Sequence, residues 1–378
     1  MSGVGTGRIP TIDGLRGIAI LLVVWFHIWE ISWQPTIVPI VNISLQPFAE
    51  TGFVGVALFF FISGFVLLLP YAQAHEAGRP APSLRHFIER RVRKIVPSYL
   101  LCIGALIAIG YQTYTNATFA LEDIAVHLLF IHDWFSATSG SIDGVLWSLG
   151  VEVQFYVLFP LIVRSFVRRP LLVTLAFFLV ANAWRAWTFF TPHDFFTQRL
   201  EALPAFLDIF ATGMLAAWLF VRIRSRHPAL ASRATLFSGL MLAGASAFIA
   251  LVIDCFNVRY APEWPQFWNA QWRTPLALAF GATALGSLFA LPVLRALLAN
   301  RALLFLAAIS YNLYLWHQPL ARMLLAHRIP PFSGSDQHAD PAWELHFSII
   351  ATAASIGLAW LITIGFERPI LRSKAASR

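Results

Sequence analysis

The chain has 378 residues, of which 58% are hydrophobic and 12% charged, and its mean hydropathy is +0.67. Soluble domains carry about 25% charged residues, so 27 Lys and Arg with 19 Asp and Glu cannot cover a water-soluble globule of this length. The same figures exclude disordered, collagenous and disulfide-scaffold classes. A formal net charge of +8 reads as membrane topology, not as nucleic-acid binding. The two cysteines, Cys102 and Cys255, lie in apolar runs and read as small core residues.

Ten apolar runs follow in chain order, at 14–33, 52–70, 95–111, 146–163, 171–190, 203–221, 235–254, 275–293, 302–321 and 346–366. The expected fold is therefore all-α: a polytopic membrane helical bundle of about ten transmembrane helices forming a single membrane domain over 1–378. The polar stretch Met1–Gly17 is followed by no small-residue cleavage site, so no cleaved signal peptide is expected. The apolar segment His127–Trp134 is too short to cross and reads as re-entrant or interfacial. An even number of spans puts both termini on one side. With the N-terminus inside, only Arg185, Arg199, Arg259, Arg273, Arg322 and Arg328 of the 27 Lys and Arg fall outside, which predicts N-in/C-in. No long hydrophilic domain interrupts the pattern, so function must reside in the bundle and its short loops.

Several polar groups sit within these runs, where an ionisable side chain is costly and marks a cavity or a partner. Arg16 and His27 are 11 residues apart; on a helix they share a face to within ~20° and are offset by ~16 Å. Phe59-Phe60-Phe61-Ile62-Ser63-Gly64-Phe65 holds a small pair, read first as close helix packing and second as room for a narrow substrate. Arg90, Arg91, Arg93 and Lys94 stand before Pro97 at an inner helix entrance and suit a polyphosphate or a topology signal. Ser148 and Glu152 share a face of the fourth span, one turn apart, with Trp147 before them. Entering from the opposite side, Glu152 reaches a depth similar to that of His27, where carboxylate and imidazole would form an acid–base pair. The run Ser310-Tyr311-Asn312-Leu313-Tyr314-Leu315-Trp316-His317 is polar and aromatic, as a sugar site or an interfacial belt would be. Glu367-Arg368-Pro369 reads as a structural pair at the end of the last span. No metal-ligand spacing, phosphate-binding glycine loop or nucleophile elbow is present.

Six of these blocks together resemble the integral-membrane acyltransferase-3 family. They are Asp13-Gly14-Leu15-Arg16-Gly17 with His27; Phe-Phe-x-Ile-Ser-Gly-Phe at 59–65; the basic cluster before Pro97; Trp147-Ser148-Leu149 with Glu152 and Phe155-Tyr156; Ser310-Tyr311 with Tyr314-Leu315-Trp316-His317; and Glu367-Arg368-Pro369. The resemblance runs from residue 12 to 369 in family order. It implies a bacterial-type inner-membrane O-acyltransferase that moves an acyl group, often acetyl, from cytosolic acyl-CoA to a hydroxyl. The expected acceptor is a carbohydrate or lipid-linked carbohydrate such as an O-antigen or exopolysaccharide unit. A small molecule such as a macrolide is the alternative within the same chemistry, and a proton-coupled transporter or flippase is the rival class. Acyl-CoA enters as donor substrate, with no permanently bound cofactor and no metal.

The family's Arg–His pair matches Arg16 and His27. Its basic motif matches either Arg90 with Arg93 or Arg91 with Lys94. The sequence departs from the family at Ala57, where many relatives carry a polar or acidic residue, and no appended SGNH-type domain is expected. The expected mechanism docks the CoA phosphates on Arg16 and the 90–94 cluster and runs the pantetheine arm past Ser63-Gly64 to bring the thioester near His27. His27 acts as base, since a free imidazole with pKa ~6.5 is largely neutral at pH 7. Glu152 orients that base or helps Trp147 and Ser148 place the acceptor, with Tyr314 and His317 contributing. Direct transfer and an acyl-His intermediate both remain open.

Overall fold

The computed structural model describes residues 9–38, 43–191, 196–262, 271–332, 334 and 336–372. Its long helices are α1 (Pro10–Ser32), α2 (Val54–Glu76), α3 (Leu84–Ala108), α4 (Trp147–Arg168), α5 (Pro170–Phe190), α6 (Leu207–Arg226), α7 (Ala234–Val258), α8 (Arg273–Phe289), α9 (Arg301–Ala326) and α10 (Pro341–Ile362). One lies over each predicted run. Eight helical segments, covering all of these but α3 and α8, are long and apolar enough to cross a bilayer. The first half of α3 carries the basic cluster, and α8 has only 17 residues. Among the described residues the strands are limited to the antiparallel pair Ile37–Val38 and Ile43–Ser44. The chain is an all-α, multi-pass membrane protein.

Local chemistry sets the helix starts. Pro10 and Pro341 occupy first-turn positions, where the missing N–H costs nothing. Asn300 caps α9 by accepting from the Leu303 N–H at 2.9 Å, and Asp340 caps α10 by accepting from Ala342 N–H at 2.9 Å. Pro70, Pro97, Pro160 and Pro319 lie inside helices, as neighbouring helices permit in membrane bundles.

Cross-helix contacts give the relative directions. Gly17 abuts Leu303 while His27 meets His317, so α1 and α9 run parallel. Tyr311 Oη donates to the Ile95 carbonyl at 2.7 Å and Cys102 Sγ to the Leu315 carbonyl at 3.5 Å, so α3 runs parallel to them. Phe60 faces Trp147 and Tyr71 faces Phe159, so α2 and α4 run parallel to each other. Odd-numbered helices therefore share one direction in these contacts, as alternating crossings require. Elsewhere, α5, α6 and α8 are joined where Arg185 Nη2 and Thr274 Oγ1 each donate to Asp208 Oδ2 at 2.6 Å.

The Ser63-Gly64 pair serves packing. A Cβ on Gly64 would strike the Phe210 carbonyl oxygen, and one on Gly213 would strike that of Phe61, so α2 and α6 touch backbone to backbone. Gly213→Val is expected to force these helices apart at a cost of about 1–3 kcal/mol. The measurement is the apparent Tm of the purified protein in detergent. An unchanged Tm would refute the close contact.

The loop between α3 and α4 is folded, not spanning. It carries the helix Ala117–Leu128 and a 3-10 turn at His132–Trp134. Asp123, His127, His132 and Asp133 are fully buried there, and the rings of His127 and His132 stack at 4.0 Å. Asp143, in the same loop, is buried with neither carboxylate oxygen hydrogen-bonded among the described residues. Burial pushes its carboxyl from 3.8 up to about 7, against smaller opposing pulls from the nearby Val145 backbone N–H and then from Arg322. Between those values the folded chain holds a proton that the unfolded chain has released. Stability from this group therefore falls as pH rises from about 4 to about 7, by up to about 1.4 kcal/mol per pH unit. His132 and Asp133 titrate nearby, so the reading is the difference between Asp143→Asn and the parent. That difference in Tm is expected to grow in favour of the variant from pH 5 to pH 8; a constant difference would contradict the buried, titrating carboxyl.

Candidate active site

A cavity of about 300 Å³ is enclosed by residues of α1, α2, α3, α4 and α9, a size at the lower end of ligand pockets. At its predicted inner end stand Arg16, Arg91 and Lys94; Glu152 and Tyr156 line one wall, Ser310 and Tyr311 another, and Ser148 and Tyr314 close the far end. The lining carries three cations and one carboxylate, with Lys94 and Arg16 paired to Glu367 and Asp13 just outside it.

The basic cluster is sorted by helix periodicity. Phe87, Ile95 and Ser98 are the buried positions of this part of α3, and Arg91 and Lys94 fall on their face. Arg91 and Lys94 line the cavity, while Arg90 and Arg93 do not, and Arg90 is exposed. The Arg91 guanidinium lies 5.5 Å over the Tyr156 ring, and its buried Nε has no hydrogen-bond partner among the described residues. Lys94 is ion-paired with Glu367, whose other oxygen accepts from Asn312 Nδ2 at 2.8 Å. Glu367 thus belongs to this site and does not pair with Arg368. The signal for this was faint: a carboxylate at a span end, with its cation 273 residues away. Arg16 also lies 3.3 Å from Asp13.

His27 and His317 form a pair. His317 Nε2 is 3.0 Å from His27 Nδ1, and the rings meet edge-on at 4.9 Å. His317 is fully buried. Neither histidine lines the cavity. Tyr314 links the two regions: it lines the cavity, its ring is 6.0 Å from that of His317, and its hydroxyl is 2.6 Å from Ser148 Oγ. Glu152 is not brought to His27; it accepts from Tyr156 Oη instead. Trp147 also lies off the cavity, stacked on Phe206 at 5.9 Å. Ser63 and Gly64 do not line it either; Val56, Phe59, Phe60 and Val66 form the α2 wall. The arrangement is a charged inner pocket leading to a hydroxyl pair, with an imidazole pair one helical turn beyond.

A family model described as Acyltransferase domain (Acyl_transf_3) matches residues 9–364. The chain is 27% identical to a protein of Komagataeibacter xylinus described as a membrane-bound transacylase, BcsY, over 82% of this chain and 72% of that one. It is 25% identical to a protein of Bacillus subtilis described as a peptidoglycan O-acetyltransferase, YrhL, over 82% of this chain and 48% of that one. It is 24% identical to O-acetyltransferase OatA of Staphylococcus aureus, over 82% and 50%. The chain thus spans about half the length of the last two. No solved structure matches.

Proposed function

The chain belongs to the acyltransferase family whose model spans residues 9–364 and is a membrane O-acyltransferase, and from that premise we propose that it carries an acyl group, acetyl in the simplest case, from cytosolic acyl-CoA to a hydroxyl of a cell-surface carbohydrate. The observation that carries this reading is the graded cavity: cations at the inner end, Tyr314 and Ser148 at the far end, and His27 one turn further out. Arg16 and Arg91 hold the phosphates of the donor, since guanidinium forks match phosphate oxygens. The linear pantetheine arm follows the Val56, Phe59 and Phe60 wall. His27 takes the proton of the acceptor hydroxyl as its oxygen bonds to the thioester carbonyl carbon. The carbon–sulfur bond then breaks, and the sulfur leaves with the proton that His27 returns. On this reading the aqueous compartment opposite the donor supplies the carbohydrate, as it would at the inner membrane of a bacterial-type cell.

The test is the surface polysaccharide of a deletion strain, read by NMR for O-acyl signals. Loss of a signal, restored by a plasmid copy, supports the carbohydrate acceptor. An unchanged polysaccharide, with an acylated small molecule missing from the medium, would replace it with the small-molecule reading.

A further inference from the structure

We propose that His317 is a positioning residue: it fixes the tautomer of His27 so that the free lone pair lies on Nε2. This rests on the reading of His27 as the base and deepens it. The sequence reading groups His317 with the acceptor site; its hydrogen-bond contacts are to two backbone carbonyls and to His27.

The argument follows the protons. His317 Nδ1 lies 2.9 Å from the Leu313 carbonyl oxygen and 2.8 Å from that of Tyr314. Carbonyl oxygens only accept, so Nδ1 carries the hydrogen. A neutral ring has one N–H, which leaves His317 Nε2 an acceptor. That acceptor faces His27 Nδ1 at 3.0 Å, and Nδ1 also lies 3.0 Å from the Val23 carbonyl oxygen. Both neighbours of His27 Nδ1 are acceptors, so Nδ1 holds the hydrogen and shares it between them. The remaining nitrogen of His27, Nε2, is left with its lone pair. The opposite assignment would set a bare Nδ1 against the Val23 oxygen, two acceptors in contact. Three backbone carbonyls, all from the helical turns that carry the two rings, thus determine the basic nitrogen through His317.

The arrangement also serves the transfer step. When His27 Nε2 takes the acceptor's proton, the ring becomes an imidazolium and its Nδ1–H becomes a stronger donor. His317 Nε2 is already in place to accept it. The charge is stabilised without moving a proton to His317, and full burial of His317 keeps water from competing for that bond. When sulfur takes the proton from Nε2, both rings return to their starting state.

Three variants and one spectrum test this in the full-length protein in nanodiscs. His317→Phe removes the acceptor and is expected to lower kcat by about 10²–10³-fold, leaving KM for acyl-CoA and for acceptor within about twofold. His317→Gln places an amide oxygen near the same position and is expected to regain at least tenfold of that loss. A role in holding the acceptor would instead raise the acceptor KM with kcat kept, which would overturn the proposal. The spectrum uses ¹⁵N-histidine-labelled protein, with the His27 signals assigned by difference against His27→Gln. Long-range ¹H–¹⁵N correlations are expected to show a protonated Nδ1 and a bare Nε2 on His27. A protonated Nε2 overturns the assignment whatever the activities. Should His27→Ala transfer acyl groups normally, the reading of His27 as base fails by itself, and the spectrum still decides the tautomer.

Discussion

His27→Ala is expected to lower acyl transfer by about 10²–10⁴-fold, the range that a positioned general base contributes, while donor binding persists. The separation follows from the geometry. Arg16, Arg91 and the Val56–Phe60 wall line the inner cavity, and His27 does not. The variant should therefore still be stabilised by CoA, since any ligand that binds only the folded state raises Tm by an amount that grows with the logarithm of its concentration above Kd. Removing a partly buried imidazole leaves His317 Nε2 without its neighbour, so membrane levels of the variant must be matched before rates are compared. His27→Gln gives a second reading, because an amide fills the space and cannot take up a proton at neutral pH. Normal transfer by either variant would remove the proposed base, and no adjustment of the acceptor's identity would rescue it.

How much of this was legible in the sequence differs by residue. The fold class followed from composition, and each of the ten runs lies under a helix, eight of them within segments long and apolar enough to cross a bilayer. The common face of Arg16 and His27 was also legible, since helix periodicity fixes it. The partner of His27 was not. Glu152 and His27 were expected to meet from opposite sides of the bilayer. The hydrogen bond between Ser148 and Tyr314 shows why they do not. It puts Ser148 level with Tyr314, so Glu152 lies one turn inward of that level while His317, with His27 beside it, lies one turn outward. Two turns, or ~11 Å, separate the carboxylate from the imidazole pair. Depth estimated from span boundaries carries an error of that size. The register of the basic cluster was hidden for another reason: in Arg90-Arg91-Val92-Arg93-Lys94 either pair spaced by three could face inward, and the burial of Phe87, Ile95 and Ser98 on the neighbouring turns decides between them. Glu367 was underread because its adjacent Arg368 offered a simpler partner than the distant Lys94.

The same sorting of the basic cluster gives the second large effect. Arg91→Gln is expected to raise the KM for acyl-CoA by about 10–100-fold, matching the loss of charge-assisted hydrogen bonds worth about 1.5–3 kcal/mol, with kcat nearly unchanged. Arg91 is the natural candidate because it lines the cavity and its Nε is buried without a hydrogen-bond partner among the described residues. Lys94 behaves differently. It is committed to Glu367, whose side chain is 6% exposed, so Lys94→Met strands a buried carboxylate and costs stability before it costs affinity. The double variant Lys94→Met/Glu367→Gln removes both charges and should recover much of the lost Tm. Arg90→Gln and Arg93→Gln, which change side chains outside the cavity lining, should leave the KM for acyl-CoA within about twofold. The four measurements together separate two accounts of the cluster. If it acts only as a positive-inside topology signal, the four side chains are interchangeable, and each substitution changes membrane insertion slightly and KM not at all. If it grips a polyphosphate through one face of α3, the KM effect concentrates on Arg91 and the stability effect on Lys94. Equal effects at Arg90 and Arg91 would therefore reject the phosphate-binding role while leaving the fold intact.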